Sequence, residues 1–74
     1  MEWIEVDTIS GNETYKTLIN LESVINVRYH KETNLTIIDC KRAAFPSIYV
    51  RGDITMDIKR LLSSHGNYVS KITI

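Results

Sequence analysis

The spacing of apolar residues changes once along this chain, and that change constrains the fold more than any other feature. Up to Val50 the apolar positions recur with a period of two, and from Ile54 onward with a period near 3.6. "WIEVDTI" sets Ile4 and Val6 against Glu5 and Asp7, the signature of a half-buried strand. "TYKTLINL", "VINVRYH", "LTIIDC" and "SIYV" continue the pattern as four more strands. In "VINVRYH" the alternation places Ile25, Val27 and Tyr29 on one face. Ile54, Ile58, Leu61 and Leu62 then follow at i, i+4, i+7 and i+8, one face of an amphipathic helix with Thr55, Asp57, Lys59 and Arg60 outward.

The connections read as turns. Gly11 and Asn12 in "SGNE" tolerate positive φ, as a tight hairpin requires. Glu22 and Ser23 make a brief break, and Lys31 to Asn34 a polar hairpin loop. "LTIIDC" carries apolar side chains on both faces, which predicts a central strand with a helix on one side and a partner on the other. Pro46 cannot donate to a ladder, so "KRAAFP" is a loop or a strand start. Gly66 predicts the helix stop, and "NYVSKITI" alternates again as a short terminal strand. The expectation is an α+β fold in a single small domain over residues 1–74. It comprises an antiparallel meander of about five strands, neighbours pairing in sequence order, one C-terminal helix on one face, then the terminal strand.

The junction between the two periodicities spells Arg51-Gly52-Asp53, the tripeptide that adhesion proteins show to integrins. Recognition of that kind needs a flexible extracellular loop. Here Gly52 supplies the bend out of a strand, and Asp53 stands where its carboxylate accepts from the free N–H groups of the first helical turn. A junction explains the tripeptide without adhesion.

A chain of this size buries only roughly 60–65% of the surface its unfolded form exposes, which leaves a narrow stability margin. Small domains gain from disulfides, metals or self-association. Cys40 is the single cysteine, which excludes a disulfide within one chain, and with His30 and His65 the two histidines and no second thiol a metal cage is not expected. Self-association remains. The N-terminal segment lacks the basic start and apolar core of a signal peptide, and no apolar run approaches the ~20 residues needed to span a bilayer. With a lone thiol these features predict a cytoplasmic setting and no membrane partner. Zero net charge argues against the strong basic excess of phosphate-backbone binders.

The helix covers one face of the sheet, so a binding site is expected on the other. Following the alternation, that face collects Trp3, Glu5 and Asp7, then Tyr15, then Asn26, Arg28 and His30, then Tyr49 and Arg51. Trp3, Tyr15, Arg28, His30, Tyr49 and Arg51 are the candidate partner-binding residues, because Trp, Tyr and Arg are enriched at binding hot spots. Ordinary cross-strand pairing on a solvated face accounts for the same residues. Aromatic and arginine side chains on an open sheet also stack unpaired bases, which keeps single-stranded nucleic acid as the alternative ligand.

Catalytic signals are weak. Asp39 and His30 meet on adjacent strands in one reading, with no serine or thiol poised beside them. Cys40 shares a face with Ile38, which predicts a buried, inert thiol. His65 falls at the end of the helix, where a cation suits the dipole. No catalytic residue, cofactor or metal is expected.

The runs "IEVDTISGNETYKTLINLESVINVRYHKETNLTIID" and "IYVRGDITMDIKRLL" resemble the short flagellar FlbD-type proteins and related small meander-plus-helix proteins of bacteria and mobile elements. The shared pattern is a strand, a glycine turn, and a strand ending in a corner, here Ile19-Asn20-Leu21-Glu22-Ser23-Val24-Ile25. A polar hairpin, another strand and a helix start follow, the last being Val50-Arg51-Gly52-Asp53. "KRAAFPS" and the "NYVSKITI" tail depart from it. The group carries no defined enzymatic activity, so the resemblance implies a small interaction module. The strand-and-helix end also resembles LytTR-type DNA-binding domains, which are longer and more basic. The function expected is a non-enzymatic intracellular module that binds a protein partner, a second copy included, through a sheet face or edge. Its size suits a phage or mobile-element inhibitor that acts on a host factor by occlusion.

Overall fold

The computed structural model describes residues 3–41 and 47–64. Five strands run β1 (Trp3–Ser10), β2 (Glu13–Asn20), β3 (Val24–His30), β4 (Leu35–Cys40) and β5 (Ser47–Arg51). A 3-10 turn, η1 (Leu21–Ser23), joins β2 to β3, and one helix, α1 (Thr55–Ser64), follows β5. The α+β antiparallel architecture and the helix are as the periodicity predicts. The Pro46 loop, His65, the Gly66 stop and the terminal strand lie outside the described residues.

All strand pairs are antiparallel, in the order β2-β1-β5-β4-β3. Here the expectation of pairing in sequence order fails at one place. β2 and β3, consecutive in the chain, stand at opposite edges, and β1 pairs with β5 between them. A flat sheet would separate its edges by about 19 Å, four strand spacings of about 4.8 Å. The three residues of η1 cover well under about 15 Å. The sheet must therefore curl until its two edges approach at this corner.

The corner is held from several sides. The Asn20 side chain accepts from the Glu22 N–H at 3.0 Å, and the Val24 N–H donates to the Leu21 carbonyl. The Lys41 N–H, just past β4, donates to the Ser23 carbonyl at 2.9 Å. Leu21, within this turn, is 2% exposed. At the other end, Gly11 takes φ 61 in the two-residue hairpin that pairs Ser10 with Glu13.

The core lies in the concave face. Ile19, Ile38, Cys40, Ile48, Val50 and Ile58 are buried together, with Ile4, Val6, Val24, Val27, Ile54 and Leu62 packed around them. Ile58 is the buried residue of α1, and Ile54 and Leu62 pack against the same core cluster. A register shift between Val24 and Asn26 corrects the reading of β3: Ile25 is the bulged residue and is exposed, while Val24 and Val27 face the core.

Thr36 fastens the start of α1. It is fully buried, yet its hydroxyl donates to the Gly52 carbonyl at 2.6 Å and accepts from the Ile54 N–H at 3.0 Å. The Gly52 N–H donates to the Asn34 carbonyl at 2.8 Å, and Gly52 takes φ 89. Asp53 Oδ1 accepts from both the Thr55 N–H and the Thr55 hydroxyl. Those bonds lower the Asp53 pKa, the hydroxyl donor first and the backbone N–H second. Arg51-Gly52-Asp53 is thus a strand end, a bend fixed on both sides and a helix-start acceptor.

Candidate functional site

The convex face of the sheet is built from the side chains that point away from α1. In β4 and β5 the pairs Leu35–Arg51, Ile37–Tyr49 and Asp39–Ser47 share it, while Thr36–Val50 and Ile38–Ile48 face the core. Across β3 the row continues as His30 beside Leu35, Arg28 beside Ile37 and Asn26 beside Asp39. Arg28, Ile37 and Tyr49 therefore form one line over three strands, with His30, Leu35 and Arg51 as the next line. Leu35 and Ile37 are half-buried, Tyr49 is 40% exposed, and the Arg28 side chain is 59% exposed.

The third line is a polar cluster. Asp39 accepts from Ser47 Oγ at 2.8 Å and from Asn26 Nδ2 at 3.0 Å, and Arg28 Nε lies 3.6 Å from Asp39 Oδ2. The Ser47 bond, then the Asn26 bond, and with them the Arg28 charge, hold the Asp39 carboxyl below the usual carboxylate range. Burial opposes this without reversing it. Asn26 is expected on this face from the alternation, and Asp39 is weighed in the sequence only beside His30; Ser47 escapes attention because a short polar residue on a strand carries no periodic signal of its own.

Four of the six residues expected at this site are brought together: Arg28, His30, Tyr49 and Arg51. Trp3 lies on the same convex face and is exposed, paired with Asn20. It stands five residues along β1 from Thr8, which pairs with Val50, a separation of about 17 Å. Tyr15 is the correction. It pairs with Thr8, and Thr8 bonds Thr17 on the concave side, so Tyr15 shares the face of Ile19 and leaves the group. It is exposed at the hairpin end, its hydroxyl donating to Glu13.

His30 and Asp39 do not meet. His30 pairs with Leu35, and its Nδ1 lies 2.9 Å from the Thr33 hydroxyl, whereas Asp39 pairs with Asn26 at the other end of the strand. On β1 and β2 the convex face carries Lys16 between Glu5 and Asp7, at 3.3 and 3.8 Å. The Glu5 hydrogen bond, then both carboxylate charges, raise the Lys16 pKa. Cys40 faces the core beside Ile38, and burial, followed by the Asp39 charge, pushes its thiol pKa up.

Among the described residues no group of His, Cys, Asp and Glu could hold a metal ion, and no helix is long and apolar enough to cross a membrane. Two grooves flank α1 on the concave side, one against β1 and β5 and one against β3. Comparison with family models, with curated proteins and with solved structures finds no match to this chain.

Proposed function

We propose that this chain is a small non-enzymatic interaction module that binds a protein partner through the convex face of β3, β4 and β5. One observation carries the reading: Arg28, His30, Tyr49 and Arg51 form two adjacent lines over half-buried Ile37 and Leu35, on the face that α1 leaves open. An aromatic ring and guanidinium groups around an apolar strip are the composition of an interface centre. The balanced net charge of the chain favours a protein over single-stranded nucleic acid.

A second copy of the chain is one such partner, and occlusion of a host factor in a bacterial or phage setting suits a module of this size. The test is binding by the wild type and by a variant with Tyr49→Ala and Arg28→Ala. The wild type is expected to sediment near twice 8.5 kDa, or to retain one protein from its native cell that the variant loses. Equal capture and equal sedimentation by both proteins would overturn the reading. Tight binding of single-stranded oligonucleotides that weakens steeply with salt would replace it.

A further inference from the structure

β4 is apolar on both faces, and the two faces differ in what surrounds them. Ile38 and Cys40 are buried in the core cluster with Ile58 of α1. Leu35 and Ile37 lie on the convex face, half-buried and about 7 Å apart along the strand. A guanidinium stands on each side of this pair. Arg28 is on β3 and Arg51 on β5, two strand spacings or about 10 Å apart. Both are exposed, the Arg28 side chain at 59%. Asp39 is the one carboxylate carried by β3, β4 and β5, and Ser47, Asn26 and Arg28 already hold it.

One strand beyond β5 the sign of the face changes. Glu5 and Asp7 are exposed on β1, both within ion-pair reach of Lys16. The cationic area is therefore three strands wide and bounded by carboxylates. A nucleic-acid backbone calls for a longer basic track, whereas a single acidic segment of a protein fits within this width.

We propose that the partner segment is an acidic amphipathic helix that lies along β4. The proposal rests on the convex-face reading and names the chemistry of its ligand. Apolar side chains one turn apart on such a helix, about 5.4 Å in rise, meet Leu35 and Ile37. With its side chains the helix is about 10–12 Å across, so carboxylates on its two flanks face Arg28 on one side and Arg51 on the other. An extended segment along β4 turns one line of alternate side chains toward the sheet and serves the two arginines less well.

The probe is a helical peptide of about 15 residues, with a leucine stripe at i, i+4 and i+7 and glutamates along both of its flanks. It is titrated into the isotope-labelled full chain at pH 7 and low salt, beside a version with glutamine in place of glutamate. The glutamate peptide is expected to shift the amides of Arg28, Ile37 and Arg51. It is expected to bind about fivefold tighter than the glutamine peptide, the scale of two exposed ion pairs. Arg51→Gln should cut that preference to about twofold. Equal binding of the two peptides, with Tyr49→Ala weakening both, keeps the convex face as the interface and overturns the acidic helix. Shifts confined to the grooves beside α1 overturn both readings. No shift at millimolar peptide overturns this proposal alone, and tighter binding of a single-stranded oligonucleotide replaces it with nucleic acid.

Discussion

Thr36 shows how much a single hydroxyl can fix. Its donor serves the Gly52 carbonyl and its acceptor serves the Ile54 N–H, at a position where water has no access. Thr36→Val keeps the shape and the β-branched preference but orphans both backbone groups. The expected loss is about 2–3 kcal/mol, read as a lower urea midpoint at unchanged m-value. Asp39 makes a different contribution, because its bonds require the ionised form. Its folded pKa lies below the unfolded value, so its stabilisation is complete above about pH 4 and is lost as pH falls through the folded value. Asp53 is shifted in the same direction, so the wild-type acid slope contains both groups. Asp39→Asn should therefore cost stability at pH 7 and little at pH 2. Equal costs at the two pH values would show that the charge does not matter.

At the scale of elements, the strands and helix were legible because the two periodicities are clean, and their bounds follow the alternation to within a residue or two. Side-chain direction was legible only where the alternation was unbroken. In β4 and β5 it led correctly to Arg51 and Tyr49 on the open face. In β3 the bulge interrupts it: counting from Val24 exposes the wrong residues, whereas counting back from His30 places Arg28 and Asn26 rightly. Ile25 looked like core because it is apolar and in phase with Val27, yet the extra residue turns it outward. Tyr15 was misplaced because β2 is mostly polar over "ETYK", which leaves its phase unmarked until Ile19. The turn residues did carry their meaning, since Gly11 and Gly52 are the glycines at positive φ among the described residues and Asn34, also at positive φ, closes the polar hairpin.

The whole molecule depends on something that local pattern could not reveal, the contact of β1 with β5. Hairpin-length connections suggest a flat meander, but η1 is too short to join edges that far apart. Curling follows from that length, and Leu21 is buried in the turn that joins β2 to β3, where the Lys41 N–H after β4 also reaches the Ser23 carbonyl. In sequence Leu21 reads as the last residue of a strand, and nothing there marks it as the buried residue of the turn between the two edges. Leu21→Ala should cost about 3 kcal/mol, the scale of a large-to-small change in a well-packed core. Because the turn that buries Leu21 joins the two edges, the loss should not be local. Amide exchange is expected to rise together in β2, β3 and β4, with cooperative unfolding at a lower midpoint. Ile9 is also aliphatic and lies on the convex face of β1, so Ile9→Ala removes similar bulk without touching the corner. If the two substitutions proved equally mild, or if only η1 lost protection in Leu21→Ala, closure would be a property of the strands themselves and not of the corner.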